Sequence, residues 1–278
     1  MSHPGAESEI RESPARARSG SGLQISVLGS FGFSAADGSR PALSGGSQRL
    51  LAFLALRSDA VTRGAAAGSL WPDASGDHAG SSLRSALSRL GPTRAAVAAT
   101  DIDLRLADDV CVDIRESQGL ARHLLEPDAS PAVELGATTI SALSRDLLPD
   151  WYDDWLIPEA EEWRQLRLHA LEALSDRLAQ VGRCAHAMSA ALAAVRVDPL
   201  RESAVAALIR VHLVEGNQAD ALREFRCYRA LLQREIGAEP TNNLFELVGV
   251  SPMASRRAAD TRGEQAKWSE VRVARRHR

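Results

Sequence analysis

Two stretches, VGRCAHAMSAALAAVRVDP (181–199) and EGNQADALREFRCYRALL (215–232), decide the fold of the second half of this chain. One glycine and two alanines repeat between them with an offset of 34 residues, as Gly182, Ala185 and Ala187 and then as Gly216, Ala219 and Ala221. That offset is the tetratricopeptide period, in which each repeat is a pair of helices. The glycine suits the left-handed end of one helix, and the alanines permit close helix packing. Two ordinary helical hairpins with a coincidental spacing are the alternative.

The residues around these stretches predict helices as well. A long amphipathic helix runs from Pro158, which suits a first helical turn, to about Gln180. Its apolar positions are Trp163, Leu166, Leu168, Leu171, Leu174 and Leu178. Pro199 stops the helix that follows Gly182. We therefore predict an all-α, tetratricopeptide-like domain over residues 116–250, with a linker at Pro127–Pro131.

Residues 23–115 predict a different, mixed architecture. Leu23, Ile25 and Val27 alternate as on one face of a strand, and three helices and a hairpin follow. The predicted helix caps are Ser47, Thr62 and Asp77, the third helix covers residues 78–90, and the hairpin turns at residues 100–103. This order is that of a winged helix-turn-helix, whose third helix enters the major groove of DNA. The fold class is therefore mainly α, with an α+β winged helix first.

The third predicted helix has two distinct faces at about 100° per residue. One face is an apolar stripe of Ala79, Leu83, Ala86, Leu87 and Leu90. The other is polar and carries His78, Ser81, Ser82, Arg84, Ser85, Ser88 and Arg89. Residues 78–89 include no acid. Arginine can donate two hydrogen bonds to guanine, and serine can contact either bases or phosphates. We predict DNA contacts by Arg84 and Arg89, supported by Ser81, Ser82, Ser85 and Ser88. A merely solvated helix face is the alternative.

Charge is distributed unevenly along the chain, whose net charge is -3. Residues 127–249 hold 19 acidic and 12 basic side chains, whereas residues 250–278 hold 3 and 8. The ends, 1–22 and 251–278, are too polar to form a core, which predicts a disordered arm and a basic disordered tail. The first residues lack the apolar run of a secretory signal, and no stretch is long enough for a membrane span. We therefore expect a cytoplasmic, nucleoid-associated protein.

Enzymatic motifs are missing from the sequence. It contains no phosphate-binding GxxxxGK[ST] loop, no GxSxG and no HExxH, and its single lysine is Lys267. The three cysteines lack CxxC spacing, and Cys184 and His186 face different sides of a predicted helix. We expect no catalytic residues, no cofactor and no metal.

Six stretches of the sequence form a recognisable set of motifs. Four lie in the first half, LSGGSQRLLAFLAL (43–56), SLWPD (69–73), SSLRSALSRL (81–90) and DLRLADDVCVDIRE (103–116). Two longer ones follow, LLPDWYDDWLIPEAEEWRQLRLHALEAL (147–174) and AAVRVDPLRESAVAALIRVHLVEGNQADALREFRCYRALLQREIGAEPT (193–241). With these motifs the chain resembles the actinobacterial antibiotic regulatory proteins over about Leu23 to Val250, most densely in the two longer stretches. The resemblance implies a winged helix followed by a bacterial transcriptional activator domain.

From this resemblance we expect a transcriptional activator that regulates antibiotic biosynthesis. It would bind double-stranded promoter DNA at direct repeats as a homodimer and contact RNA polymerase. Two departures keep an alternative open, a protein-interaction adaptor with a degenerate winged helix. The second helix reads Gly64-Ala65-Ala66-Ala67-Gly68 instead of large aliphatic residues, and Asp101 and Asp103 place acids at the wing tip. We expect Arg94 and Arg105 to bind DNA and compensate for these acids, with Arg94 contacting a phosphate.

Overall fold

The structure, a computed structural model, describes residues 22–126 and 136–250. The predicted arm up to residue 21, the linker at Pro127–Pro131 and the tail 251–278 lie outside them. The described elements are β1 Gln24–Ser26, β2 Gly32–Ser34, α1 Gly45–Ala55, β3 Val61–Thr62, α2 Arg63–Leu70, α3 Gly76–Ser88, β4 Val97–Ala99, β5 Asp103–Leu106, β6 Cys111–Val112, α4 Asp113–Leu125, α5 Ala137–Leu143, α6 Ile157–Gln180, α7 Cys184–Val197, α8 Glu202–Val214, α9 Gln218–Ile236 and α10 Asn242–Leu247. The fold is mainly helical, as predicted.

The described residues divide into two units by their internal contacts. The first comprises residues 22–25 and 32–111, and the second comprises 26–31 together with the described residues from 112 onward. The strands form two small sheets within the described ranges, ordered β2-β1-β6 and β3-β5-β4.

The first unit has the winged-helix order α1, β3, α2, α3, β4, β5. Strand β5 lies between β3 and β4 and is antiparallel to both, with Val61 opposite Leu104 and Val97 opposite Leu106. The turn between β4 and β5 spans Thr100 to Asp103, where the Thr100 N–H donates to the Asp103 carbonyl at 2.9 Å. The predicted hairpin is confirmed, and this half combines helices with a small sheet as predicted.

Helix α1 provides the centre of the first core, because its residues 50–55 are at most 2% exposed. The predicted cap, Ser47, was wrong: the N-cap is Ser44, whose side chain accepts from the Ser47 N–H. Ser47 instead lies inside the helix, fully buried, and donates its hydroxyl to the Ala86 carbonyl at 2.9 Å. A residue that looked like a local cap is thus a tertiary contact between α1 and α3.

The glycine- and alanine-rich second helix forms, and Thr62 caps it as predicted by accepting from the Ala65 N–H at 3.3 Å. Ala66, Ala67 and Leu70 are its buried residues. The third helix differs from its prediction at both ends. It begins at Gly76 with Ser75 as N-cap, so Asp77 lies in its first turn, and it ends at Ser88 with Arg89 as C-cap.

The second unit is a succession of antiparallel helices. Helix α6 pairs with α7 and α8 pairs with α9, and each turn contains a left-handed glycine, Gly182 (φ +74°) and Gly216 (φ +77°). Ala187 and Ala221 are fully buried at the equivalent positions of the two pairs. Ion pairs tie the helices together, with Arg164–Asp198 and Arg210–Asp176 both at 2.9 Å. The tetratricopeptide-like prediction is confirmed, and none of the described helices is long and apolar enough to cross a membrane.

A short N-terminal segment, residues 26–31, belongs to the second unit. Leu28 bridges to Leu147, and the Leu148 N–H donates to the Val27 carbonyl at 3.0 Å. The Asp113 carboxylate accepts the N–H groups of Val27 at 2.9 Å and Leu28 at 3.2 Å. Burial raises the pKa of Asp113 in spite of these donors. Residues far apart in sequence therefore meet around one carboxylate.

Candidate nucleic-acid interface

Helix α3 has the two faces that the sequence indicates. Its apolar stripe is buried, with Ala79, Leu83, Ala86 and Leu87 between 2% and 7% exposed and Leu90 just beyond its end at 1%. On the other side His78, Ser81, Arg84, Ser88 and Arg89 are exposed, and Ser82 and Ser85 are half-buried. The stripe packs α3 into the first unit, so the polar face is presented to solvent.

Two of these side chains are held by bonds within α3. Arg84 donates from Nη2 to the Ser81 hydroxyl at 2.7 Å, one helical turn earlier. The Ser75 hydroxyl lies 2.8 Å from His78 Nδ1 at the start of the helix. Arg89, as C-cap, lies at the opposite end. The two arginines thus lie more than one turn apart, separated along the helix by half-buried Ser85 and exposed Ser88.

The two arginines predicted to bind DNA outside α3 are engaged within the first unit. Arg94 is half-buried and donates from Nη1 to the Val97 carbonyl at the start of β4. Arg105 is exposed on β5 and forms an ion pair with Asp108. Hydrogen bonding and the charge of Arg105 lower the pKa of Asp108. Each arginine would have to exchange or share its present partner to bind a phosphate.

Arg63 is a basic residue of this region that the sequence reading missed. It is the first residue of α2, and it joins the helix to the hairpin by donating from Nε to the Thr100 carbonyl at 2.9 Å. Its backbone N–H donates to the Ile102 carbonyl at 2.8 Å. The available signal was its position directly after the Thr62 cap, at the start of a helix.

A cleft of about 520 Å³ lies between α2, α3 and the wing. Arg63, Arg84 and Asp101 line it together with Trp71 and with glycines and alanines, namely Gly64, Ala67, Gly68, Ala74, Gly76, Ala79 and Gly80. Seven of the lining residues are glycine or alanine, which have little or no side chain. The small residues of the second helix therefore border an open groove between α2 and α3.

Acidic groups also border this surface. Asp77 is exposed in the first turn of α3, and Asp101 is exposed at the wing tip next to Ile102, which is 69% exposed. Carboxylates favour an N-terminal helical turn because of its partial positive charge. The surface therefore carries both acids and bases at its edges, whereas the exposed face of α3 over residues 78–89 carries no acid.

Metal ligands do not cluster anywhere in residues 22–126 and 136–250, where no group of three His, Cys, Asp or Glu could hold an ion. Cys111, Cys184 and Cys227 are free thiols. Neither observation adds a site to the surface of α3.

Residues 112–249 match the bacterial transcriptional activator domain. In this activator domain lie all four helices of the two antiparallel pairs, α6 to α9. The match supports a regulator of transcription rather than an enzyme.

A solved structure extends the likeness beyond the activator domain. Mycobacterium tuberculosis EmbR, in complex with a low affinity phosphopeptide, is similar with a TM-score of 0.65 and 21% identity, over 89% of this chain and 71% of that one. At this identity the similarity establishes the fold alone. The comparison with curated proteins found no significant match.

Proposed function

We propose that this protein is a sequence-specific DNA-binding regulator of transcription, acting as an activator at promoters. The observation that carries the proposal is the exposed serine and arginine face of α3, opposite a buried stripe, on the third helix of a winged helix. In helix-turn-helix proteins this helix lies in the major groove. The activator-domain match supports the same conclusion from the other half of the chain.

Base reading is assigned to Arg84 and Arg89, with Ser81, Ser82, Ser85 and Ser88 contacting bases or backbone. Arginine pairs bidentately with guanine O6 and N7, and the short serines allow the helix to approach the groove closely. Arg84 gives up only an exposed bond to Ser81 when it turns toward a base. Its cost of release is small because the hydroxyl can hydrogen-bond to water instead.

Phosphate contacts are assigned to Arg94 and Arg105. Neutralised phosphates provide much of the affinity of any DNA-binding protein and make it depend on salt. Arg63 belongs to the same group because it lies at the start of α2 beside the wing. These residues fix orientation on the duplex, whereas α3 supplies the specificity.

The activator domain is proposed to mediate dimerisation on DNA and contact with RNA polymerase. Protomers bound to direct repeats lie side by side in the same orientation, which requires a head-to-tail contact rather than a two-fold one. The helical pairs α6–α7 and α8–α9 supply the surfaces for such contacts. The control of antibiotic biosynthesis genes is part of the same proposal and rests on the family resemblance.

In vitro selection of DNA with the purified full chain tests the proposal. We expect an enriched motif that occurs as a direct repeat. In gel shifts on that motif, Arg84→Ala should weaken binding by about 1–3 kcal/mol, roughly 5- to 150-fold, and relax preference at one position. Arg40→Ala, which removes an exposed arginine between β2 and α1, is the matched control and should bind as the wild type does.

The alternative function is an adaptor whose winged helix no longer binds DNA. The cleft at α2 and the exposed Asp101 favour it. A salt titration separates the two functions, since DNA binding through phosphates falls steeply with salt. If selection enriches no sequence and binding of the bare duplex is undetectable at low salt, the adaptor is correct and the assignment to α3 is wrong.

A further inference from the structure

A cavity of about 370 Å³ lies in the second unit, where the loop from Asp146 to Asp153 meets the first turns of α6. Its walls are mostly apolar and aromatic: Leu147, Leu148, Pro149, Trp151, Leu156 and Trp163. Trp163 is 1% exposed and donates its Nε1–H to the Arg145 carbonyl at 2.9 Å. Trp151 stacks on Phe31 with ring centroids 5.8 Å apart. The two indoles are thus held in place by contacts of their own.

Arg167 also lines this cavity and is only 3% exposed. Its Nη2 forms an ion pair with Asp146, but Nε and Nη1 have no hydrogen-bond partner among the described residues and are shielded from solvent. A guanidinium offers five N–H donors in a planar fork that fits two oxygens of one anion. Leaving such donors unpaired in the interior is unfavourable, so the site is incomplete as it stands.

Two of the other charged residues at the cavity, Glu161 and Arg164, are bound to each other. Glu161 is bound by Arg164 at 2.8 Å, and hydrogen bonds from Arg164 and Gln165 lower its pKa to about 2. Arg164 also pairs with Asp198. Asp153 lies on the wall and disfavours a second negative group near it. Arg167 therefore provides the unused donors, and an anion would have to approach from its end of the cavity.

Leu148 on the cavity wall has a strained backbone. Its φ is +40°, the single positive value at a non-glycine residue in the described ranges, and the side chain is 1% exposed. Bonds on both sides hold it, from its own N–H to Val27 and from the Trp151 N–H to its carbonyl, each at 3.0 Å. Such strain is concentrated at ligand sites and switch regions. Leu148 and Arg167 line the same cavity, so a shift of this turn would change the space beside the guanidinium.

We propose that this cavity binds a compact aromatic carboxylate. The carboxylate pairs with Arg167, and the ring packs between Trp151 and Trp163, with the volume at the lower end of the range for small-molecule sites. The proposal does not depend on DNA binding, because every residue it uses belongs to the second unit. Such a ligand would make the activator domain a sensor as well as an assembly surface.

Isothermal titration calorimetry of the full chain tests the proposed carboxylate binding, with benzoate and indole-3-acetate as probes. At least one should bind saturably in or below the millimolar range, and neutral benzyl alcohol should bind at least tenfold more weakly. Arg167→Lys keeps the charge but removes the planar fork and should weaken binding about tenfold. Because this residue is buried, a second variant is needed.

Ala160→Leu supplies that variant, since Ala160 lines the cavity and is half-buried, so the added side chain fills the space and leaves Arg167 itself unchanged. It should abolish binding while leaving the far-ultraviolet circular dichroism unchanged. Ala185→Leu, at an exposed position of α7, is the matched control and should bind normally. No saturable binding of either probe, equal binding of benzyl alcohol, or full binding by Ala160→Leu would each overturn the proposal.

Discussion

Gly68 in α2 and Gly182 in the turn between α6 and α7 allow one chemical change to be tested in two backbone conformations. A Cβ added at either position would meet nothing within 4 Å. The two differ in backbone angle, because Gly182 has φ +74° whereas Gly68 has an ordinary helical value. Packing is therefore neutral in both, and conformational preference decides the sign of the effect.

Replacing Gly68 by alanine should stabilise α2. Alanine is better than glycine in a helix interior by about 0.5–1 kcal/mol, chiefly because the unfolded chain loses less entropy. Replacing Gly182 should destabilise its hairpin by about 1–2 kcal/mol, the cost of a left-handed Cβ. Since 1.4 kcal/mol corresponds to a tenfold change, protection should rise about two- to fivefold in α2 and fall about five- to thirtyfold in the hairpin.

Native-state hydrogen exchange of the full chain, read by mass spectrometry, measures both effects in separate peptides. The peptide over residues 63–70 should exchange more slowly in Gly68→Ala, and the peptide around residue 182 should exchange faster in Gly182→Ala. Each variant is the control for the other's peptide, which should be unchanged. Reduced protection of α2 in Gly68→Ala would refute the reasoning, because it would mean that α2 is not helical at this position.

Three further predictions concern single hydrogen bonds and one titration. Ser47→Ala removes the buried bond to the Ala86 carbonyl and should lower the free energy of unfolding in urea by about 1–3 kcal/mol; a loss below about 0.5 kcal/mol would contradict its tertiary role. Tyr228→Phe removes the bond from its hydroxyl to the Leu200 carbonyl at 3.0 Å and should cost about 0.5–1.5 kcal/mol in the same assay, against an unaffected Tyr152→Phe, whose side chain is 90% exposed. The pKa of Asp113 is raised above 3.8, so its contribution to stability is largest below about pH 4 and is lost as pH rises through the raised value. Asp113→Asn should flatten that part of the profile of unfolding free energy against pH. An unchanged slope would contradict the raised pKa of Asp113.

The fold was predictable where periodicity carries it. The stripe of α3 and the 34-residue offset of the glycines follow from regular spacing, and the structure confirms both. The N-cap of α1 was not predictable, since Ser44 and Ser47 are equally good caps locally. Only the contact of Ser47 with α3 distinguishes them. A local sequence pattern cannot reveal a hydrogen-bond partner that lies 39 residues away.

The same limit applies to the candidate sites. The exposed face of α3 could be read directly, because polar side chains opposite an apolar stripe are exposed in most packings. The burial of Arg167 could not be predicted directly, since an arginine in an amphipathic helix is ordinarily expected on the solvent-exposed face. Its spacing offered a clue: it follows Trp163 by four residues and precedes Leu171 by four, so it lies on the buried face of α6.

The segment 26–31 has a consequence for how fragments of this protein behave. During synthesis it leaves the ribosome well before Asp113 and Leu147, so its partners are missing when it emerges and the second unit cannot be completed early. A fragment that starts at residue 112, where the activator-domain match begins, has the carboxylate of Asp113 but not the two amides it binds. A fragment cut at this domain boundary therefore lacks part of the second unit. A synthetic peptide spanning residues 26–31 is the reagent that would restore the missing contacts.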